Sequence, residues 1–404
     1  MKLFKENCSV LTAILFITIL SCPATAFSTP YDIDPPFQSN TPEWQAFRQQ
    51  WDKHWDGKNI DQLISLLKGI EKTDPNNVSL NLWFSRVYCL KGKRSSGKIR
   101  SESFNNAVTY AAKARGLDKD NVLAVRLLID AASNIDSSAS IMSRYGNWIK
   151  DISPQPYIES LDPISSMPGW DNFAKLWASR YDIDKATQAQ KMMEDWASSN
   201  PDNGAVQIWA IRTCSYMGDY FTNVGDSKKG LTYYKKGITY GERANKLIPN
   251  SLPAKYWYNA CLGRSVQHAS LIKKASHFST FFELVLFFWR ENSQYNNFGF
   301  AITMAPMITN GGWVTEKGMN AAGVTAENVL TSLDIAAIVY PDVIQIPYSK
   351  ALLLEYKGRK GEAIKVLENL ITKNPDKGGP SIMAENRINM KEAKELYENL
   401  LKGK

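Results

Sequence analysis

The chain has 404 residues, 44% of them apolar and 22% charged; that balance excludes an intrinsically disordered chain and suits one large or two moderate hydrophobic cores. The formal net charge is +8, yet no block of five or six basic residues occurs, which speaks against nucleic acid as a partner. Five cysteines and three histidines are scattered without ligand spacing, so neither a disulfide framework nor a metal site is expected.

The first element reads as an export signal. Lys2 and Lys5 precede an apolar run over 10–20, and Ala24-Thr25-Ala26 supplies an A-x-A cleavage site. Residues 1–26 are then a signal peptide, the mature chain is periplasmic, and it keeps no membrane span. Ile19-Leu20-Ser21-Cys22 is also similar to a lipobox, so a lipid anchor on Cys22 is the alternative; Leu20 is not the small residue usual there, and simple export is preferred. Residues 27–42, with Pro30, Pro35, Pro36 and Pro42, form an extended lead-in.

From residue 43 the pattern is helical. Thr41-Pro42-Glu43 offers an N-cap with Pro in the first turn, and Trp44, Phe47, Trp51 and Trp55 follow as one aromatic stripe that reads as core. Leu63, Ile64, Leu67 and Ile70 predict a helix over 61–72, stopped by Asp74-Pro75-Asn76 because Pro lacks the N–H a continuing helix needs. The next helix, over 78–91, is expected to end at Gly92. Pro75 and Gly92 are 17 residues apart, and so are Pro201 and Gly218, and Pro341 and Gly358. Asn200-Pro201-Asp202, Ile248-Pro249-Asn250, Tyr340-Pro341-Asp342 and Asn374-Pro375-Asp376 read as further stops, with Leu117-Asp118-Lys119-Asp120 a degenerate copy. Helix pairs thus occupy 43–133 and 172–404.

Pro341 and Pro375 are 34 residues apart, and between them the chain resembles a tetratricopeptide (TPR) unit. Ala351, Leu354, Gly358, Ala363, Leu367 and Pro375 stand where that family has small, large, glycine, small, large and proline residues; small residues let paired helices approach and large ones fill the gap to the next pair. Pro347 replaces the family's usual Trp. The resemblance implies an all-α, TPR-like α-solenoid of antiparallel helix pairs with divergent repeats.

Residues 134–171 interrupt the array. Pro154, Pro156, Pro163 and Pro168 forbid a long helix over 153–169, so this is a Pro-rich insertion or a linker between two helical halves. Trp170, Phe173, Trp177 and Tyr181 open the second half, and Leu231, Tyr234, Ile238 and Ala244 predict a long helix over 226–247. Beyond Pro253, the pair Tyr256-Trp257 followed by Asn259 and Gly263-Arg264 resembles the T-component proteins associated with TRAP transporters, which implies an exported accessory binding protein. The aromatic stretch over 278–300 is too short an apolar run for a membrane span and reads as a helix buried on all sides, or as the wall of a pocket or groove. Asn310-Gly311-Gly312-Trp313 is expected in the loop after it. A last helix over 390–401, with Asn389 and Glu392 in a capping box, would close the array.

No nucleophile elbow, P-loop or dinucleotide fingerprint occurs, no cofactor is implied, and no histidine cluster offers an acid–base agent, so catalytic residues are not expected and the chain reads as a non-enzymatic binding protein. Arg86 and Arg212 each lie eleven residues after a punctuating proline, a place that in the resembled TPR family faces the concave side. With Tyr256, Trp257, Asn259, Arg264 and Tyr348 they form a candidate arginine–aromatic site suited to a carboxylate-bearing small molecule or an acidic peptide terminus; alternatively the arginines pair with acidic neighbours. The expected function is to hold such a ligand for a TRAP-type transporter. The alternative is an envelope protein–protein scaffold, anchored through Cys22. Oligomeric state is left open.

Overall fold

The computed structural model of the chain describes residues 33–37, 40–155, 159, 161–267 and 271–403, without the side chains of 267 and 271–278. The signal peptide at 1–26 with Cys22, much of the lead-in at 27–42, His268 and the His277 side chain lie outside the described residues.

Among the described residues the chain is all α, with seventeen α-helices, a one-turn 3-10 helix at His54–Asp56 and no strand. A first run holds α1 (Pro42–Trp51), α2 (Ile60–Glu71), α3 (Val78–Arg94), α4 (Gly97–Leu117), α5 (Val122–Ala132) and α6 (Ser138–Asp151). A second run holds α7 (Trp170–Ala178), α8 (Ile183–Ser199), α9 (Gly204–Asn223), α10 (Ser227–Leu247), α11 (Leu252–Gln267), α12 (Leu271–Asn292), α13 (Tyr295–Ala321), α14 (Ala326–Val339), α15 (Gln345–Tyr356), α16 (Lys360–Ile371) and α17 (Pro380–Leu401). Within each run a helix packs on its sequence neighbour, and α3 also packs on α5, α9 on α11, α13 on α15 and α15 on α17. Short connections make the neighbours antiparallel. Nearest and next-nearest contacts of this kind define an all-α, TPR-like solenoid with divergent repeats.

The punctuation has a local cause. Pro75 ends α2, and two residues later Asn77 caps α3 by accepting from the Leu80 N–H; Pro201 and Asn203 do the same for α9, with Val206 as donor. The three glycines that follow at equal spacing serve two different ends. Gly92 and Gly218 lie inside α3 and α9, where a Cβ would fall 2.8 Å from the Phe104 ring and 2.3 Å from the Tyr234 ring. Gly92 therefore does not end its helix, which runs on to Arg94. Gly358 does act as a stop, at φ +74° just beyond α15.

Three other expectations are corrected. Residues 134–171 are more than an insertion or linker: Ser137 caps the amphipathic helix α6 over Ser138–Asp151, and the described residues from 152 to 169, where the prolines cluster, are non-helical. Asn310-Gly311-Gly312-Trp313 lies within α13, at a break where Gly312 takes φ +62°, ψ −154°. The last helix starts at Pro380, not near 390, because Gly379-Pro380 sets its first turn; Asn389 and Glu392 are mid-helix and form no capping box.

Contacts distant in sequence fold the array back on itself. Helix α3 meets α12, α6 meets α14, and α9 meets α17. Buried Lys93 of α3 pairs with Asp130 of α5, which also accepts from Ser293 beside α13. Among the described residues no single helix is long and apolar enough to cross a membrane; α13 and α14 pass on length and composition only as a pair bent by 90°.

Candidate functional site

The first helices of successive pairs, α9, α11, α13, α15 and α17, surround a cavity of about 670 Å³, a volume that suits a small organic molecule. Arg212, Tyr256, Trp257, Asn259, Arg264 and Tyr348 all line it. Arg86 does not: it is buried about the first half's core, against Asp34 at 2.8 Å and Glu291 at 3.6 Å. His54 Nε2 donates to the same Glu291, 2.9 Å away. Burial alone would raise the Glu291 carboxyl, but the His54 hydrogen bond and the Arg86 and Arg94 charges outweigh it and hold it below the usual range.

Arg212 is not available to a ligand carboxylate in the way the sequence suggests. Arg212 lies between the rings of Trp177 and Trp257, 4.8 and 4.4 Å from their centroids, and is held by Glu159 at 3.2 Å and Glu385 at 2.6 Å. Arg180 grips the same Glu385 through both carboxylate oxygens. The arginines do pair with carboxylates, but with distant ones rather than local ones. Burial pushes the Glu159 carboxyl up; Arg212, Arg180 and the Trp177 N–H outweigh that and leave it lowered. Arg264 sits 3.1 Å from Asp219, which also accepts from the Tyr234 hydroxyl at 2.7 Å.

What the cavity does present is amide, hydroxyl and aromatic surface. Asn296, Asn297 and Asn310 come from α13, and Asn386 and Asn389 from α17. Asn386 is fully engaged, accepting from the Ile344 N–H and donating to the Asp342 and Pro375 carbonyls. By contrast Trp257 Nε1, Asn259 Oδ1 and Asn296 Oδ1 are buried with no hydrogen-bond partner, although Trp257 and Asn259 are only 7% and 1% exposed. Such groups are costly to leave unpaired and mark a place where something polar is held. The backbone adds to this. Asn296, Asn297 and Phe298 take three consecutive left-handed conformations, φ 52°, 56° and 64°, at about 1–3 kcal/mol for each non-glycine residue. Asn296 Nδ2 donates to the Tyr256 hydroxyl at 2.9 Å, tying the strained turn to the aromatic wall.

The sequence reasoning missed Glu159, Glu385, Asp219, Glu392 and Asn296, all brought in by long-range folding. One signal would have found the first. Trp44, Phe47, Trp51, Pro75, Trp83, Arg86 and Gly92 recur 126 residues later as Trp170, Phe173, Trp177, Pro201, Trp209, Arg212 and Gly218. The two halves also repeat a device. Trp51 Nε1 donates to Asp34 at 2.9 Å and Arg86 joins the same carboxylate; Trp177 Nε1 donates to Glu159 at 3.0 Å and Arg212 joins it. In each case a Pro-rich segment supplies the acid. Cys89, Cys214 and Cys261 are buried and free, and burial pushes the Cys214 thiol up to about 12. No cluster of three metal-holding side chains occurs among the described residues.

No protein-family model matches the chain, and no curated protein sequence does either. Solved structures similar to it include yeast Tom70, at 12% identity over 88% of this chain and 96% of that one, with a TM-score of 0.21. The TPR domain of P58(IPK) is similar at 15% identity over 89% and 98% of the two chains, with a TM-score of 0.22. Both likenesses are shallow, and the fold assignment rests on the helix pairing described above.

Proposed function

We propose that the protein is an exported, non-enzymatic binding protein that holds a small molecule or short peptide in the α9–α17 cavity, as an accessory to a TRAP-type transporter. The observation that carries this reading is the wall of α11. Tyr256, Trp257, Asn259, Gly263 and Arg264, the residues that resemble the T-component family, all face one cavity, and two of them bring buried polar atoms without partners. Arg212, Glu159 and Glu385 are locked in ion pairs with one another and with Arg180, an arrangement that suits holding a ligand more than moving protons.

The test is native mass spectrometry of the mature chain, before and after denaturation. A small molecule released only on denaturation is the expected result; a bare chain mass from freshly exported protein would refute the reading. A second reading is a protein–protein scaffold at the envelope, with Cys22 as a lipid anchor. It is favoured by Trp313 and Val314, which stand 65% and 54% exposed at the break in α13. Under that reading Trp313→Ala abolishes co-purification of an envelope partner and leaves any bound small molecule in place.

A further inference from the structure

The charges around the cavity do not balance, and the imbalance sits in one place. Arg180 and Arg212 answer Glu159 and Glu385, two against two. At the other end, among the described residues, Arg264 alone faces Asp219 and Glu392, and no described Lys or His lines the cavity. The Tyr348 hydroxyl bonds Glu392 but brings no charge. Burial raises the Glu392 carboxyl; Arg264 lowers it, and Asp219 and Glu395 raise it further, as expected for a carboxylate short of cationic partners.

The internal duplication shows that this excess is a departure from the other half. Position 93, 126 residues before Asp219, is Lys93, whose ammonium is 0% exposed and closed in a 2.8 Å pair with Asp130. In the second half the equivalent place holds an acid in place of the ammonium, 28% exposed and lining a cavity. The same cavity is lined by the aromatic rings of Tyr256, Phe281 and Tyr348, surfaces that favour cations. The unpartnered Trp257 Nε1 and Asn259 Oδ1 supply one donor and one acceptor besides.

We infer that the cavity selects a ligand carrying a protonated amine or guanidinium, set against the Asp219–Glu392 end, and disfavours carboxylate-bearing ligands. This rests on the reading of the cavity as a ligand site and reverses the charge expected from Arg86 and Arg212. Four phenolic probes of one size isolate the charge: tyramine, tyrosol, tyrosine and 4-hydroxyphenylacetate, titrated calorimetrically into the full mature chain. Tyramine should bind about tenfold more tightly than neutral tyrosol, as one partly buried ion pair allows, and 4-hydroxyphenylacetate more weakly than either. Glu392→Gln should bring tyramine to within about threefold of tyrosol, read as the ratio of the two affinities within the variant. This variant removes a like-charge neighbour of Asp219, so it is expected to fold. Equal or tighter binding of 4-hydroxyphenylacetate, with Trp257→Phe still weakening every probe, would overturn the charge inference and keep the cavity. Binding that is unchanged in Trp257→Phe would overturn both. No saturable binding of any of the four up to about 10 mM, well above the millimolar weak-binding scale, would also overturn the inference, while the released-ligand measurement above judges the cavity independently.

Discussion

Glu385→Gln tests whether the C-terminal helix is held down by charge. Glu385 of α17 binds Arg180, which follows α7, through both oxygens, and binds Arg212 of α9 at 2.6 Å. Arg180 is 1% exposed and Arg212 is 3% exposed, so both guanidinium groups are out of water. Removing one partner of a buried pair costs about 3–5 kcal/mol. Three features reduce that here. Glu385 is 24% exposed, which screens part of the charge. Arg212 keeps Glu159, and Arg180 keeps the Trp177 and Ser381 carbonyls. The expected loss is about 2–3 kcal/mol, since Arg180 alone loses its carboxylate. It would be read from urea unfolding followed by far-UV dichroism and by tryptophan fluorescence. Because Trp177 flanks both arginines, a local release of α17 would move the fluorescence transition ahead of the dichroism. A loss under about 1 kcal/mol, or full additivity of Glu385→Gln with Arg180→Met, would refute the reasoning, because coupled partners do not add.

Three further outcomes follow from the same geometry. Gly218→Ala should cost about 1–3 kcal/mol in the same unfolding assay, because the added carbon would fall 2.3 Å from the buried Tyr234 ring; Gly358→Ala, with no atom within 4 Å but φ +74°, should lower stability by strain alone. Iodoacetamide should leave Cys89, Cys214 and Cys261 unlabelled in the native chain at pH 8 and label all three in urea, since burial suppresses the thiolates; fast native labelling of Cys214 would contradict its placement. For pH, Glu159 and Glu291 have folded values below their unfolded ones, so their stabilisation is complete above about pH 4.5 and is lost as the pH falls through the lowered values. Acid unfolding of Glu159→Gln should therefore be less steep below that point than that of the parent chain. Glu392, raised in the fold, has the opposite sign, and Glu392→Gln should stabilise the protein at pH 7.

The helix pairs were legible because their stops and starts are local chemistry: Pro75 with Asn77 and Pro201 with Asn203 each end one helix and begin the next within three residues. The aromatic stripe of Trp44, Phe47 and Trp51 was legible as core for the same reason, and all three are buried, while Trp55, which ends the stripe, is half-exposed. The break at Gly312 was misplaced because Gly-Gly signals a turn whether or not helix resumes beyond it. The cavity was legible on one side only. Spacing marks which residues of α11 share a face, but Arg212 meets Glu385 across 173 residues and Glu159 across 53, and no periodicity encodes those partners. Hence arginines that looked like ligand clamps are internal ties.

The 126-residue duplication narrows what long-range folding hid. Once Trp51, Asp34 and Arg86 are known to form one cluster, Trp177 and Arg212 must be short of a carboxylate, and the Pro-rich segment before Trp170 is where it has to come from. Glu159 lies 18 residues before Trp177 and Asp34 lies 17 before Trp51, a slip of one residue that breaks the register but not the role. The same comparison separates scaffold from site. Where the halves agree, at the tryptophans, the arginine and the glycine, the residues pack and pair in both. Of the positions that differ in sign, Lys93 is closed on its own half while Asp219 opens onto the cavity. A duplicated fold needs its shared residues to stand; a cavity-lining position that changed charge, as Asp219 did, is free to be shaped by a ligand.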